Sequence, residues 1–144
     1  FFFGWAKPVP VNRVRFRRGI SMRTGDILTA VAGPGSNVLI AFIVSGIIIG
    51  AGLADGTPVA TFLVHMFFIN LSLAVFNIIP VPPLDGHYLL PEGIQEMMRR
   101  NQMIFFIALV LLINLLGNVL AVPVSMLQKL LVGFWNAVFG VFGG

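Results

Sequence analysis

Apolar residues run along this chain in four long blocks, with no strict alternation inside them. The blocks extend from about Ile27 to Leu53, Val59 to Ile79, Met103 to Val122 and Val124 to Phe142. Each can cross a hydrocarbon core about 30 Å thick as a helix. Only helices and closed barrels satisfy their own backbone at that depth. Barrel strands would alternate apolar and polar residues, whereas these blocks are apolar on all sides, so the pattern predicts helices. The fourth block is interrupted by Lys129 and Asn136, which also suits a helix lying in the membrane interface. A span is preferred, because a lysine stem can snorkel toward water.

Composition sharpens this picture. Hydrophobic residues make up 58% of the 144 and charged residues 10%, against about 25% charged in soluble domains. The fold class is therefore all-α integral membrane: a polytopic helical bundle of about four transmembrane helices, forming one domain over residues 1–144. Lys7, Arg13, Arg15, Arg17, Arg18 and Arg23 precede the first block, and Arg99 with Arg100 lie between the second and third. The connection "ADGTP" carries only Asp55, and the Val122–Pro123 junction carries no charge. This asymmetry predicts that the basic loops are cytoplasmic. It accounts for most of the positive charge, so the partner implied is the lipid bilayer and not a nucleic acid. There is no cysteine, which excludes disulfides and thiolate metal sites.

Within the blocks, Gly46 and Gly50 form a small-xxx-small pair that permits close helix approach. Asn114 and Asn118 lie on one helix face, where hydrogen bonding between helices is expected. "KPVPVNRVRF" alternates after its prolines, which predicts a short strand-like or re-entrant element near the start of the chain. It suits either an edge to which an unwound peptide adds as a strand or a basic loop on anionic lipid.

The stretch "NIIPVPPLDGHYLL", Asn77 to Leu90, carries the most chemistry. Pro80, Pro82 and Pro83 cannot continue a helix. Non-helical backbone near membrane depth survives only when buried in protein or beside a watery cavity. The prolines thus end the second helix and present Asp85 at a polar cavity. Three roles fit that aspartate: a cap on the next short helix, a proton-relay or ion-pathway carboxylate, or a metal ligand.

The string "FNIIPVPPLDG", Phe76 to Gly86, resembles the signature of the site-2 protease family of intramembrane zinc metalloproteases. "FGWAKPVPVN", Phe3 to Asn12, resembles the segment after the zinc-binding helix in one branch of that family. "AGPGSN", Ala32 to Asn37, resembles the opening of the family's next transmembrane helix. The three occur in the family's order and cover about residues 3–90. The resemblance implies that Asp85 is the third protein ligand of one zinc ion, completing a site whose other ligands come from an HExxH helix. It also implies that Asn77, which matches an asparagine near the substrate, donates to the developing oxyanion or holds the unwound peptide. Lys7, Pro8, Val9 and Pro10 would line the substrate, a transmembrane protein.

One departure is large. No HExxH occurs in these 144 residues, and neither His65 nor His87 has a second histidine four residues away. His65 suits a packing or interfacial role, and His87 follows the aspartate motif without forming a ligand pair. The resemblance places the missing motif upstream of Phe1, so the chain is expected to be the C-terminal part of a protease core, inactive alone. A non-enzymatic scaffold, or a proton-coupled transporter using Asp85, is the alternative class.

Overall fold

The computed structural model describes residues 21–53, 56–116 and 120–142, and among them there is no β-strand. The strand-like element expected before Arg23, with Lys7, Pro8, Val9 and Pro10, lies outside the described residues. Five α-helices are described: α1 (Met22–Gly50), α2 (Pro58–Ile78), α3 (Glu92–Arg100), α4 (Gln102–Leu116) and α5 (Ala121–Phe142). A 3₁₀ turn, Asp85–Leu89, lies between α2 and α3.

Helix boundaries follow local chemistry. Ser21 caps α1 by accepting a hydrogen bond from the Thr24 amide at 3.1 Å, so the helix starts five residues before the apolar block. Thr57 caps α2 through the Ala60 amide at 3.2 Å, and Pro58 takes the first helical position, where a missing N–H costs nothing. Pro34 sits inside α1, within the "AGPGSN" string, which therefore lies about a third of the way along the helix instead of at its opening.

Helices α1, α2 and α5 are each long and apolar enough to cross a membrane. Helices α3 and α4 qualify only together, and they meet at an 89° bend. Alone, the 15 residues of α4 reach only about 22 Å, short of a hydrocarbon core of about 30 Å. The junction expected at Val122–Pro123 falls inside α5. Pro123 is tolerated there because the first turn of a helix has no partners for its amides.

The core is a three-helix contact. Ala41 and Val44 of α1 and Phe67 and Leu71 of α2 are buried together, with Leu127, Leu131 and Val132 of α5 against them. Gly46 and Gly50 do admit a close neighbour. A Cβ on Gly46 would lie 2.7 Å from the Trp135 ring, and one on Gly50 would meet the Phe139 ring. The Trp135 indole N–H donates to the Phe42 carbonyl across the interface at 2.9 Å. Numbers rise together along this seam, so α5 runs parallel to α1, and its Leu120–Val124 end lies beside Ser72, Leu73 and Phe76 of α2. The chain thus re-enters the bundle near the end where α2 leaves it, a consequence of how short α4 is. Asn114 donates back to the Val110 carbonyl of its own helix at 2.7 Å instead of to a neighbour. Asn118 lies outside the described residues.

Candidate metal and substrate site

The site is built where α2 stops. After Ile78 the chain turns through a set of short backbone bonds, Val81 to Ile79 at 2.8 Å and Leu84 to Val81 at 2.9 Å. The Pro82–Pro83 peptide is cis. The turn folds back so tightly that Gly86 is buried against the α2 terminus. A Cβ on Gly86 would overlap the Ile78 carbonyl and lie 2.6 Å from the Ile79 oxygen. Both obstacles are backbone atoms, so only glycine fits.

Asp85 opens the 3₁₀ turn and is half-buried. Its Oδ2 points at α1, where a Cβ on Gly33 would lie 2.9 Å away. Gly33 thus leaves a recess in α1 that admits the carboxylate. Asp85 caps nothing: the cap position of the turn belongs to Leu84, and α3 is preceded by Pro91, neither with a side-chain cap bond. Among the described residues no donor reaches the Asp85 carboxylate. The capping role that the sequence allowed is therefore not the one this aspartate plays.

Asn77 lies in the last turn of α2, half-buried, eight positions before Asp85. Each of the two histidines is held through one ring nitrogen. His65 is exposed with Nδ1 2.7 Å from the Thr61 carbonyl, and His87 has Nδ1 2.6 Å from the Leu84 carbonyl. A carbonyl oxygen only accepts, so Nδ1 carries the proton in each. The His87 ring also lies against Tyr88, with centroids 3.9 Å apart.

No group of three His, Asp or Glu side chains able to hold a metal ion exists among the described residues. Catalytic zinc usually takes three protein ligands, so these residues do not by themselves assemble a zinc site. The Asp85 carboxylate, set beside Gly33, fits the role of one ligand.

Two participants were not singled out by residue chemistry. Gly33 carries a signal, since a glycine inside an apolar helix usually marks a close approach. Gln95 of α3 donates to the Tyr88 and Leu90 carbonyls at 3.1 and 2.7 Å, tying α3 to the turn. No sequence pattern announces that bond.

The fold and the site define a polytopic membrane protein with a carboxylate presented at a helix break. Residues 48–118, which contain Asn77 and Asp85, match the family described as Peptidase family M50. The protein named "Putative zinc metalloprotease YwhC", from Bacillus subtilis (strain 168), is 36% identical over 133 residues. The match covers 84% of this chain and 59% of that protein. No solved structure matches the chain. The chain belongs to peptidase family M50, the site-2 protease family of zinc metallopeptidases.

The site yields one prediction of its own. Gly86→Ala forces the turn off the Ile78 carbonyl and carries the adjacent Asp85 with it. A displacement of about 1 Å can cost about 10²-fold, and disturbed ligand support costs about 10–100-fold in metal affinity or activity. Given the ligand role that the resemblance implies for Asp85, zinc affinity and proteolysis of the full-length protein are both expected to fall at least about tenfold. Metal titration beside a cleavage assay checks this, and unchanged values would mean that the turn does not position Asp85.

Proposed function

We propose that this chain is one membrane domain within an intramembrane zinc metalloprotease that hydrolyses peptide bonds of transmembrane proteins. The observation that carries the reading is the Asp85 carboxylate, set against Gly33 at the break after α2, with no capping duty and no donor among the described residues. Family membership supplies the expectation of zinc.

In this reading the Asp85 carboxylate contributes one metal ligand, the others coming from outside these 144 residues. When bound, zinc supplies Lewis acidity, polarising the scissile carbonyl and making water more acidic. The turn after α2 orients Asp85, and the recess at Gly33 gives it room. The Asn77 amide donates to the carbonyl oxygen as negative charge grows there, a role that fixed donors fill at little reorganisation cost. Lys7, Pro8, Val9 and Pro10 are the residues assigned to meet an unwound substrate segment. Alone, the chain is inactive.

Metal removal tests the function. The full-length protein, reconstituted with a transmembrane substrate, is expected to lose cleavage on chelation and regain it with zinc. The purified 144-residue chain is expected to bind no stoichiometric zinc, because one carboxylate and two scattered histidines do not make a site. Cleavage that survives chelation would overturn the assignment. Tight binding by the isolated chain, lost in His65→Ala or His87→Ala, would reassign those histidines.

Sidedness is proposed from the basic residues. Thiol labelling of single cysteines in oriented vesicles is expected to place positions near Arg15 and Arg99 on the cytoplasmic face and Asp55 opposite. Finding Asp55 on the face of Arg15 would refute the crossing of α1.

A further inference from the structure

Helix α3 divides its residues by face. Ile94, Met97 and Met98 recur at helical spacing on one side, and Glu92, Gln95, Glu96, Arg99 and Arg100 occupy the other. The charged side is internally matched. Glu96 accepts from Arg99, and from Arg100 Nε at 3.3 Å. The hydrogen bond from Arg100, with the charge of Arg99, holds the Glu96 carboxyl below the usual carboxylate range. That face also borders a polar groove of about 440 Å³ between α3 and the 3₁₀ turn, lined by His87 and Tyr88 opposite Glu92, Glu96 and Arg99.

Two of the three apolar residues are uncovered, Ile94 at 41% exposed and Met97 at 50%, and Met98 is half-buried. Its surroundings are set by connectivity. One residue, Asn101, separates α3 from the apolar α4, and the two helices meet at 89°. On its other side, Pro91 and Leu90 join α3 to the turn at the membrane end of α2. A charged face cannot enter hydrocarbon, and a helix tethered at both ends to membrane elements cannot leave the surface.

We infer that α3 is an in-plane interfacial helix, with Ile94 and Met97 seated at the headgroup–acyl boundary of the bilayer and its ion-paired face toward water. Such segregation is what holds an amphipathic helix in the interface. The occupant of the apolar face is lipid, because α3 is tied at one end to the turn at the membrane end of α2 and at the other to the apolar α4. Through Gln95, which grips the Tyr88 and Leu90 carbonyls, the helix fixes the Asp85 turn at the depth of that surface. The consequence for Asp85 rests on the metal-site reading above; the seating of α3 does not.

The test uses the full-length protein with any native cysteines replaced, since this chain has none. Single cysteines at Ile94, Met97, Glu92 and Arg100 are labelled with an environment-sensitive fluorophore in phosphatidylcholine vesicles. Labels at 94 and 97 are expected to shift to the blue, to be quenched by doxyl groups on the lipid, and to lose quenching by aqueous iodide. Labels at 92 and 100 are expected to show the reverse. Shielding of 94 and 97 from both quenchers would show that protein covers the face, and iodide access at all four would put α3 in water. Either result overturns the inference. Wild-type protein crosslinked by diazirine-bearing acyl chains provides a second measurement free of substitutions. Adducts are expected at Ile94 and Met97, and their absence there overturns the inference equally. Neither readout depends on zinc or proteolysis, so failure here is distinct from failure of the proposed activity.

Discussion

Asp85→Asn in the full-length protein is expected to remove bound zinc and reduce proteolysis to background, while the fold survives. A carboxylate binds zinc well because its charge is offset by the ion. An amide of the same size brings no charge and coordinates poorly. The fold survives because the substitution takes nothing structural away. No described donor loses an acceptor, and the recess at Gly33 receives an amide of the same shape as the carboxylate. The contrast with a capping role is sharp. Asn caps a helix about as well as Asp, so a cap would tolerate the change, and here the cap position belongs to Leu84 in any case. Zinc per protein, cleavage of a transmembrane substrate and a thermal melt, measured together, check the prediction. A variant that keeps both its zinc and its activity would sink the metal role of this residue.

The long helices were legible because lipid burial is read from composition alone: a run of apolar residues has few other places to go. What composition does not carry is where a proline sits within its helix. Pro123 looked like a boundary and proves to be a first-turn residue of α5, while Pro34 lies inside α1 without ending it. Asn114 was expected to reach a neighbouring helix, yet α4 supplies its acceptor locally, at Val110. The break at Pro80–Pro83 and the presentation of Asp85 were legible, since a helix lacking amide donors must stop. The recess was not, because Gly33 and Asp85 are brought together only when α1 and α2 pack. The same holds for Gln95, whose acceptors are carbonyls freed by the end of the 3₁₀ turn. Chemistry carried by one side chain could be read from the string, and chemistry made by two elements meeting could not.

Asn77→Ala in the full-length protein is expected to cut turnover by about 10²–10³ while leaving zinc content and stability near wild type. The magnitude is that of losing one fixed donor to a developing oxyanion. Stability is spared because the Asn77 side chain holds no hydrogen bond among the described residues, and alanine extends the last turn of α2 at least as well. Substitutions in the motif then separate by readout. Asp85→Asn moves zinc and activity together, Gly86→Ala moves both by displacing the turn, and Asn77→Ala moves the rate alone. A side chain that acts on the substrate, at the reacting carbonyl or by holding the unwound peptide, produces that last pattern. A packing asparagine would show the opposite, a lowered melting temperature with turnover unchanged. Single-turnover cleavage at saturating substrate, with zinc analysis and a melt on the same preparation, distinguishes the two. Wild-type turnover would leave Asn77 without a role in the reaction.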